Sequence, residues 1–185
     1  MANFSIRQYQ ASDAEEFFVA IEESREHVSR WMGWLKPDFS LQNVRDWISE
    51  CRTDFTAGIK YEHLIVDDDN GQIVGACGLN SLGRFDKLCN LGYWVRASRL
   101  REGAATRAVE LLRDLAFEKF EMIRVELVIA EGNVASQHVA EKVGAIDEGL
   151  QNARLLIGEV AHDARMYSLI NPCARRETAI TPGFE

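Results

Sequence analysis

The pattern of apolar and polar positions predicts a strand, a turn and a helix between residues 89 and 120. The run Leu91–Val95 is apolar and aromatic, which is typical of a strand buried on both faces. Apolar residues then recur at helical spacing, at Ala105, Ala108, Val109, Leu112, Leu115 and Ala116. The turn between them is basic and ends at Gly103. We expect this unit to lie at the centre of the fold.

The same pattern predicts the remaining elements. Strands are expected at Phe4–Tyr9, Tyr61–Val66, Ile73–Leu79 and Ile123–Ala130, and a hairpin is expected to run from Ala145 to Ile170. Ser12 and Glu15 have the spacing of a capping box and predict the start of a first helix. Ser40 is suited to cap a second helix. A short helix is predicted at Val134–Val143. The resulting order, β-α-α-β-β-β-α-β-α-β-β, predicts a single α/β domain with a mixed, mostly antiparallel sheet flanked by helices.

The basic turn has the chemistry of an anion site. Gly103 has no side chain to keep an anion from the first N–H groups of the helix, and Arg96, Arg99 and Arg101 precede it. The turn contains neither a P-loop nor a dinucleotide-binding fingerprint, so a glycine that serves packing alone stays open as the alternative.

Composition narrows the function classes. A chain of 185 residues that is 46% hydrophobic and 27% charged predicts one globular domain. The net charge of −8 argues against nucleic-acid binding through a basic surface. It favours cationic partners such as amines, or it serves only solubility.

Neither a metal site nor a membrane segment is expected. Cys51, Cys77, Cys89 and Cys173 lack metal-ligand spacing, and a small buried hydrophobe is a commoner role for such residues than a catalytic thiol. The first residues lack the pattern of a signal peptide, and no apolar run approaches the roughly 20 residues that span a bilayer. We expect a cytoplasmic protein.

Two ordered motifs carry a family resemblance. Gly92-Tyr93-Trp94-Val95 precedes a helix that starts Gly103-Ala104-Ala105-Thr106. A second motif, N-x-x-S-x-x-V-x-E-K-x-G, is met at Asn133, Ser136, Val139, Glu141, Lys142 and Gly144. With an N-terminal Trp-x-x-Trp and a C-terminal H-D-x-x-M-Y-S-L, the chain resembles the GNAT N-acetyltransferases, specifically the RimJ/RimL-like branch that acetylates protein N-termini.

This resemblance implies a GNAT domain over residues 1–170, a tail over residues 171–185, and acetyl-CoA as cosubstrate. It implies cofactor contacts from Trp94, Val95, Arg96, Arg101, Glu102, Gly103, Ala104, Ala105, Thr106, Asn133 and Ser136. It also implies an acceptor site bordered by Trp31, Trp34 and Tyr93. For the tryptophan loop, simple packing of helix ends stays open, and for Asn133 a plain helix N-cap does. The sequence contains almost no information on the oligomeric state, so a homodimer stays an open alternative.

The catalytic residues depart from the family pattern. Ala140 stands where many relatives have a tyrosine acid, and Arg154 stands where the branch has its proposed glutamate base. Leu100 and Arg101 also change the usual phosphate turn. The resemblance makes Ser136 the candidate acid, with a helix-start role as alternative. The proton relay is expected to be either water or a weak carboxylate, for which Glu126 is the candidate.

A site without a strong base suits α-amines. A protein α-amine has a pKa of about 7.7–8.0, whereas a lysine amine, at about 10.4, must lose a proton at an extra cost of roughly 3.5 kcal/mol. We therefore expect acetylation of a protein or peptide N-terminus. The alternatives are acetylation of a small amine, such as a polyamine, aminoglycoside or amino acid, and acyl-CoA binding without turnover.

Overall fold

The computed structural model describes residues 3–83 and 85–174. Its strands are β1 (Phe4–Arg7), β2 (Tyr61–Asp67), β3 (Ile73–Gly83), β4 (Leu88–Val95), β5 (Arg124–Ala130), β6 (Ile146–Ile157) and β7 (Val160–Ile170). Its helices are α1 (Ala14–Glu23), α2 (Arg25–Ser29), α3 (Leu41–Ala57), α4 (Ala104–Asp114) and α5 (Val134–Lys142). The predicted α/β class and element order are confirmed, with α2 as an additional short helix.

One mixed sheet has the strand order β1-β2-β3-β4-β5-β7-β6. Its only parallel pair within the described residues is β4 with β5. Helix α4 packs on one face through Val109 and Leu112, while α1 and α3 pack on the other through Ile21 and Val44. The sheet therefore lies between two apolar layers, which suits the apolar central strands predicted from the sequence.

Strands β4 and β5 pair over only a short length. Their register runs from Leu88 opposite Arg124 to Asn90 opposite Glu126 and then stops. Strand β4 continues to Val95 while paired on its other side with β3, so its last residues border a gap on the β5 side. This gap is the feature around which the candidate site is built.

The start of α1 differs from the prediction. The capping box at Ser12 and Glu15 is wrong, because a short turn at Ala11–Asp13 precedes the helix. The carboxylate of Asp13 accepts the Gln10 N–H at 2.7 Å and pairs with Arg7. The predicted cap at Ser40 is confirmed, since its hydroxyl oxygen accepts the Asn43 N–H at 3.5 Å.

Within the described residues, no helix is long and apolar enough to cross a membrane. The predicted tail, residues 171–185, lies outside the described residues beyond Ala174.

Candidate functional site

Two cavities meet at the end of β4. The first, here the α4 cavity, measures about 520 Å³ and lies between β4 and the starts of α4 and α5. The second, here the α3 cavity, measures about 540 Å³ and lies between the sheet, α3 and the loop after α2. Tyr93 and Trp94 line both. Each volume is in the range of small-molecule sites.

The start of α4 presents free backbone donors to the α4 cavity. Gly103 has a φ of +95°, a left-handed conformation that glycine adopts without a steric penalty. Its missing Cβ would point into open space. The first bond of the helix runs from Arg107 N–H to the Gly103 carbonyl at 3.0 Å, so the N–H groups of Ala104, Ala105 and Thr106 precede the helical ladder. These donors and the helix dipole favour an anion.

Two of the three arginines of the turn are engaged in ion pairs within the protein. Arg96 donates to Glu23 at 2.6 Å, and Arg99 donates to Asp67 at 2.6 Å and to Glu102 at 2.9 Å. These pairs hold the turn against neighbouring elements. Arg101 is exposed and lines the cavity, and the described residues offer it no ion pair. Of the three arginines, Arg101 is therefore the one available to a ligand.

Most predicted cofactor residues are brought together. The α4 cavity is lined by Trp94, Val95, Arg101, Gly103, Ala104, Ala105, Thr106, Asn133 and Ser136. Arg96 and Glu102 do not line it, because their side chains are engaged with Glu23 and Arg99.

The last residues of β4 present backbone N–H and C=O groups to the gap on the β5 side. Arg96 N–H bonds the Val74 carbonyl of the β3 side at 2.8 Å, so alternation along the strand points the backbone groups of Tyr93 and Val95 toward β5. His27 Nε2 lies 2.9 Å from the Val95 carbonyl oxygen, which fixes Nε2 as the donor. No feature of the sequence singles out His27.

A buried hydroxyl lies where the cavities meet. The Tyr93 hydroxyl oxygen is buried and has no hydrogen-bond partner among the described residues. Burial raises its pKa to about 12, and the nearby Ser136 side chain offsets part of the rise although its hydroxyl does not reach hydrogen-bonding geometry in this structure. A buried polar group without a partner is costly, so this hydroxyl is suited to meet a ligand atom.

Asn133 and Ser136 share the start of α5. The Asn133 side-chain oxygen accepts the Ser136 N–H at 3.2 Å, so Asn133 is the N-cap of this helix. Both residues also line the α4 cavity. The cap alternative for Asn133 is thus confirmed, and a cofactor contact stays a prediction beside it.

The tryptophan loop divides between the two cavities. Trp34 lines the α3 cavity and packs edge-on against Phe39 at a centroid distance of 5.6 Å. Trp31 instead lines the α4 cavity and lies beside Gly132. The loop is therefore a shared wall, which is more than packing of helix ends.

The α3 cavity is aromatic and acidic. Its aromatic walls include Phe17, Trp47 and Trp94, and its carboxylates are Asp46, Glu50 and Glu62. Nothing in the sequence singles out Glu62, because a lone glutamate in a strand is typical of a solvent-facing position. Its place in the site follows from the strand register of the structure, in which Glu62 lies opposite Gly78 and Gly78 lies opposite Gly92.

Glu126, the carboxylate predicted to relay a proton, lies outside both cavities. Its carboxylate pairs with Arg124 at 2.7 Å, and it lines neither cavity. On strand β5 it pairs with Asn90 and Ser168 on the neighbouring strands. The predicted proton relay through Glu126 has no support in this geometry.

Comparison with known proteins agrees with this architecture. Residues 3–146 match the model of the acetyltransferase (GNAT) domain. The chain is 26% identical over 175 residues to the "Putative ribosomal N-acetyltransferase YdaF" of Bacillus subtilis (strain 168), a match that covers 91% of each protein.

Solved structures show the same fold. A structure titled a "putative ribosomal-protein-serine acetyltransferase from Vibrio cholerae" matches with a TM-score of 0.79 and 26% identity over 92% of this chain and 95% of that one. RimL, a ribosomal alpha-N-protein acetyltransferase in complex with coenzyme A, matches with a TM-score of 0.84 and 18% identity over 92% of this chain and 95% of that one. This chain therefore shares its overall fold with these proteins.

Proposed function

Because the chain belongs to the GNAT acetyltransferase family, we propose that it transfers the acetyl group of acetyl-CoA to the N-terminal α-amine of a protein or peptide. The observation that carries this proposal is the meeting of two cavities at Tyr93 and Trp94, one suited to a phosphate-bearing thioester and one suited to a cation. The chemistry needs a held thioester, a polarised carbonyl and a neutral amine.

The α4 cavity supplies the first requirement. The free N–H groups before the helical ladder and the open space at Gly103 suit a pyrophosphate, and Arg101 and Lys142 add positive charge at the wall. The inward backbone groups of Tyr93 and Val95 suit the amide-bearing pantetheine arm, since such an arm can continue the hydrogen-bond pattern of a strand.

The same strand supports carbonyl polarisation. A backbone N–H that faces the gap can donate to the thioester oxygen as negative charge develops on it, which is the role of an oxyanion hole. Tyr93 and Ser136 both line the α4 cavity, and we assign to their hydroxyls the role of donating to the sulfur that leaves. Ser136 thus keeps its proposed role, with Tyr93 as a second donor beside it.

The α3 cavity favours an amine attached to a chain. The carboxylates of Asp46 and Glu62 attract an ammonium group, whereas Glu50 is paired with Lys60, and the aromatic walls accept the apolar part of a first side chain. Relatives whose names refer to ribosomal proteins, such as YdaF, support a protein acceptor. An α-amine also needs the least help to lose its proton.

A panel of acceptors tests this function. Release of the coenzyme A thiol would be followed with peptides of free N-terminus, with the same peptides blocked at the N-terminus, and with polyamines, aminoglycosides and amino acids. The proposal predicts turnover with free peptides and none with blocked ones. Turnover confined to small amines would show that the acceptor is a small amine and not a protein N-terminus. Binding of acetyl-CoA without turnover on any acceptor would overturn the enzyme function itself.

A further inference from the structure

The carboxylate of Glu62 lies in a trough of the sheet that leads to β4. Glu62, Gly78 and Gly92 are cross-strand neighbours on β2, β3 and β4, so they share one face of the sheet. A Cβ at residue 78 would collide with the Glu62 carboxylate, which therefore lies directly over Gly78. A Cβ at residue 92 would meet open space.

This trough connects the carboxylate to the reacting centre. Neighbouring strands lie about 4.8 Å apart, so a group above Gly78 is about one strand spacing from β4, and the gap lies on the far side of β4. The open position over Gly92 has room for a small group between the two. Both glycines and Glu62 line the α3 cavity together with Tyr93 and Trp94.

Glu62 lacks a cation of its own. Lys60, the nearest lysine, donates to Glu50 at 2.6 Å and to Asp54 at 3.0 Å, and its ammonium lies over the Trp47 ring. The carboxylates of Glu50 and Asp54 thus neutralise the positive charge of Lys60. The partly buried carboxylate of Glu62 is left with the Asn80 amide, whose oxygen accepts from Asn90 at 3.1 Å.

Resting on the proposed function, we propose that Glu62 is the proton acceptor of the reaction and the anchor of the incoming α-ammonium. The ammonium gives one proton to the Glu62 carboxylate and becomes a neutral amine. Its nitrogen then bonds the thioester carbonyl carbon while the carbon–sulfur bond breaks, and the sulfur leaves with that electron pair. The second nitrogen proton goes to the sulfur, and Glu62 returns its proton to solvent.

The environment of Glu62 is matched to an α-amine. Burial raises the pKa of its carboxyl to about 7, with Asp54 raising it further and Lys60 and Asn80 offsetting part of the rise. A base with this pKa lies within about one unit of an α-amine and more than three below a lysine amine. The titratable and charged groups around it are Tyr9, Asp46, Glu50, Cys51, Asp54, Lys60 and Cys77.

The test compares Glu62→Gln with wild type on a peptide of free N-terminus. In the wild type, kcat should rise with pH through about 7, because Glu62 must be ionised to take a proton. Glu62→Gln should lower kcat at pH 8 by at least about 100-fold and remove the rise through pH 7, leaving only the rise at higher pH at which the α-amine itself loses its proton, with acetyl-CoA affinity unchanged. Glu62→Asp, a shorter carboxylate, should recover part of the activity.

Two further variants sharpen the outcome. Glu15→Gln, at an exposed carboxylate outside both cavities, should keep the wild-type profile. Glu126→Gln removes the carboxylate singled out from the sequence. If Glu126→Gln loses the rise of kcat with pH while Glu62→Gln keeps it, the assignment to Glu62 is overturned. If wild type acetylates no free N-terminus, the proposed function fails, whatever Glu62 does.

Thermal unfolding provides a readout besides activity. A carboxyl with a folded-state pKa raised above its unfolded value destabilises the fold increasingly as pH rises from about 4.5 to 7, since the folded state then holds an unfavourable charge. Glu62→Gln should therefore raise Tm at pH 8, and the difference should vanish near pH 4. A lower Tm at pH 8 would indicate a structural ion pair and contradict the proposal.

Discussion

Tyr93 separates the two cavities, and its hydroxyl lies buried without a partner among the described residues. An unpaired buried hydroxyl costs about 1–3 kcal/mol. Such a cost is understandable where a ligand atom completes the hydrogen bond. At the scale of single residues, this hydroxyl is the clearest sign that the end of β4 is built to meet the thioester.

Tyr93→Phe separates function from stability. Removing a hydroxyl that has no partner should leave Tm unchanged or raise it, while kcat should fall about 10-fold or more if the hydroxyl donates in the reaction. Thermal unfolding and steady-state kinetics on one preparation measure both. An unchanged kcat would leave Ser136 as the donor to the leaving sulfur and exclude Tyr93.

The sequence could predict the residues that belong to contiguous motifs. Gly103, Asn133 and Ser136 were recognised in this way, and all three line the α4 cavity. Glu62 could not be recognised, because its role depends on the register of three strands and on Lys60 being engaged by other carboxylates. Arg96 was overpredicted, since its basic character does not reveal its pairing with Glu23.

At the scale of elements, the start of α4 and the end of β4 are the structures to which the proposed function assigns the ligand. Helix α4 was predictable from its apolar spacing, and its buried positions include Ala108, Val109 and Leu112. The start of α1 was not, because the carboxylate of Asp13 is drawn to Arg7 and the Gln10 N–H. Local capping signals fail where a neighbouring strand supplies a stronger partner.

Gly103→Ala tests the start of α4, with Gly71→Ala as matched control. Both glycines have positive φ, +95° and +75°, and open space at the missing Cβ. Each substitution should therefore cost about 1–2 kcal/mol of stability. Only Gly103→Ala should weaken acetyl-CoA binding, by about 10-fold, because only its methyl enters the α4 cavity.

Calorimetric titration and thermal unfolding of the two variants would measure these effects. Equal affinities for acetyl-CoA would show that Gly103 serves the turn geometry alone, which was the alternative left open by the sequence.

At the scale of the whole molecule, the α3 cavity and the α4 cavity are lined by residues of opposite charge. The chain carries a net charge of −8, and the α3 cavity is lined by three carboxylates and, among the described residues, by no lysine or arginine. The α4 cavity is lined instead by Arg99, Arg101 and Lys142 and, within the part of the chain that the structure describes, by no carboxylate. A polyanionic cosubstrate and a cationic acceptor can thus approach a single acidic protein from different cavities.

Arg101→Ala tests this division, with Arg52→Ala as a control of equal charge change on α3, outside both cavities. Arg101→Ala should raise KM for acetyl-CoA several-fold, and added salt should reduce the difference, because the attraction is screened. Arg52→Ala should leave KM unchanged. Equal effects of both variants would indicate that only net charge matters.

A single peptide with both a free α-amine and a lysine distinguishes the proposed acceptor from its alternatives. After incubation with acetyl-CoA and the protein near pH 7, fragmentation mass spectrometry locates the acetyl group. We expect acetylation at the α-amine, with the lysine unmodified. Acetylation at the lysine alone, or no acetylation while a small amine is acetylated under the same conditions, would contradict it.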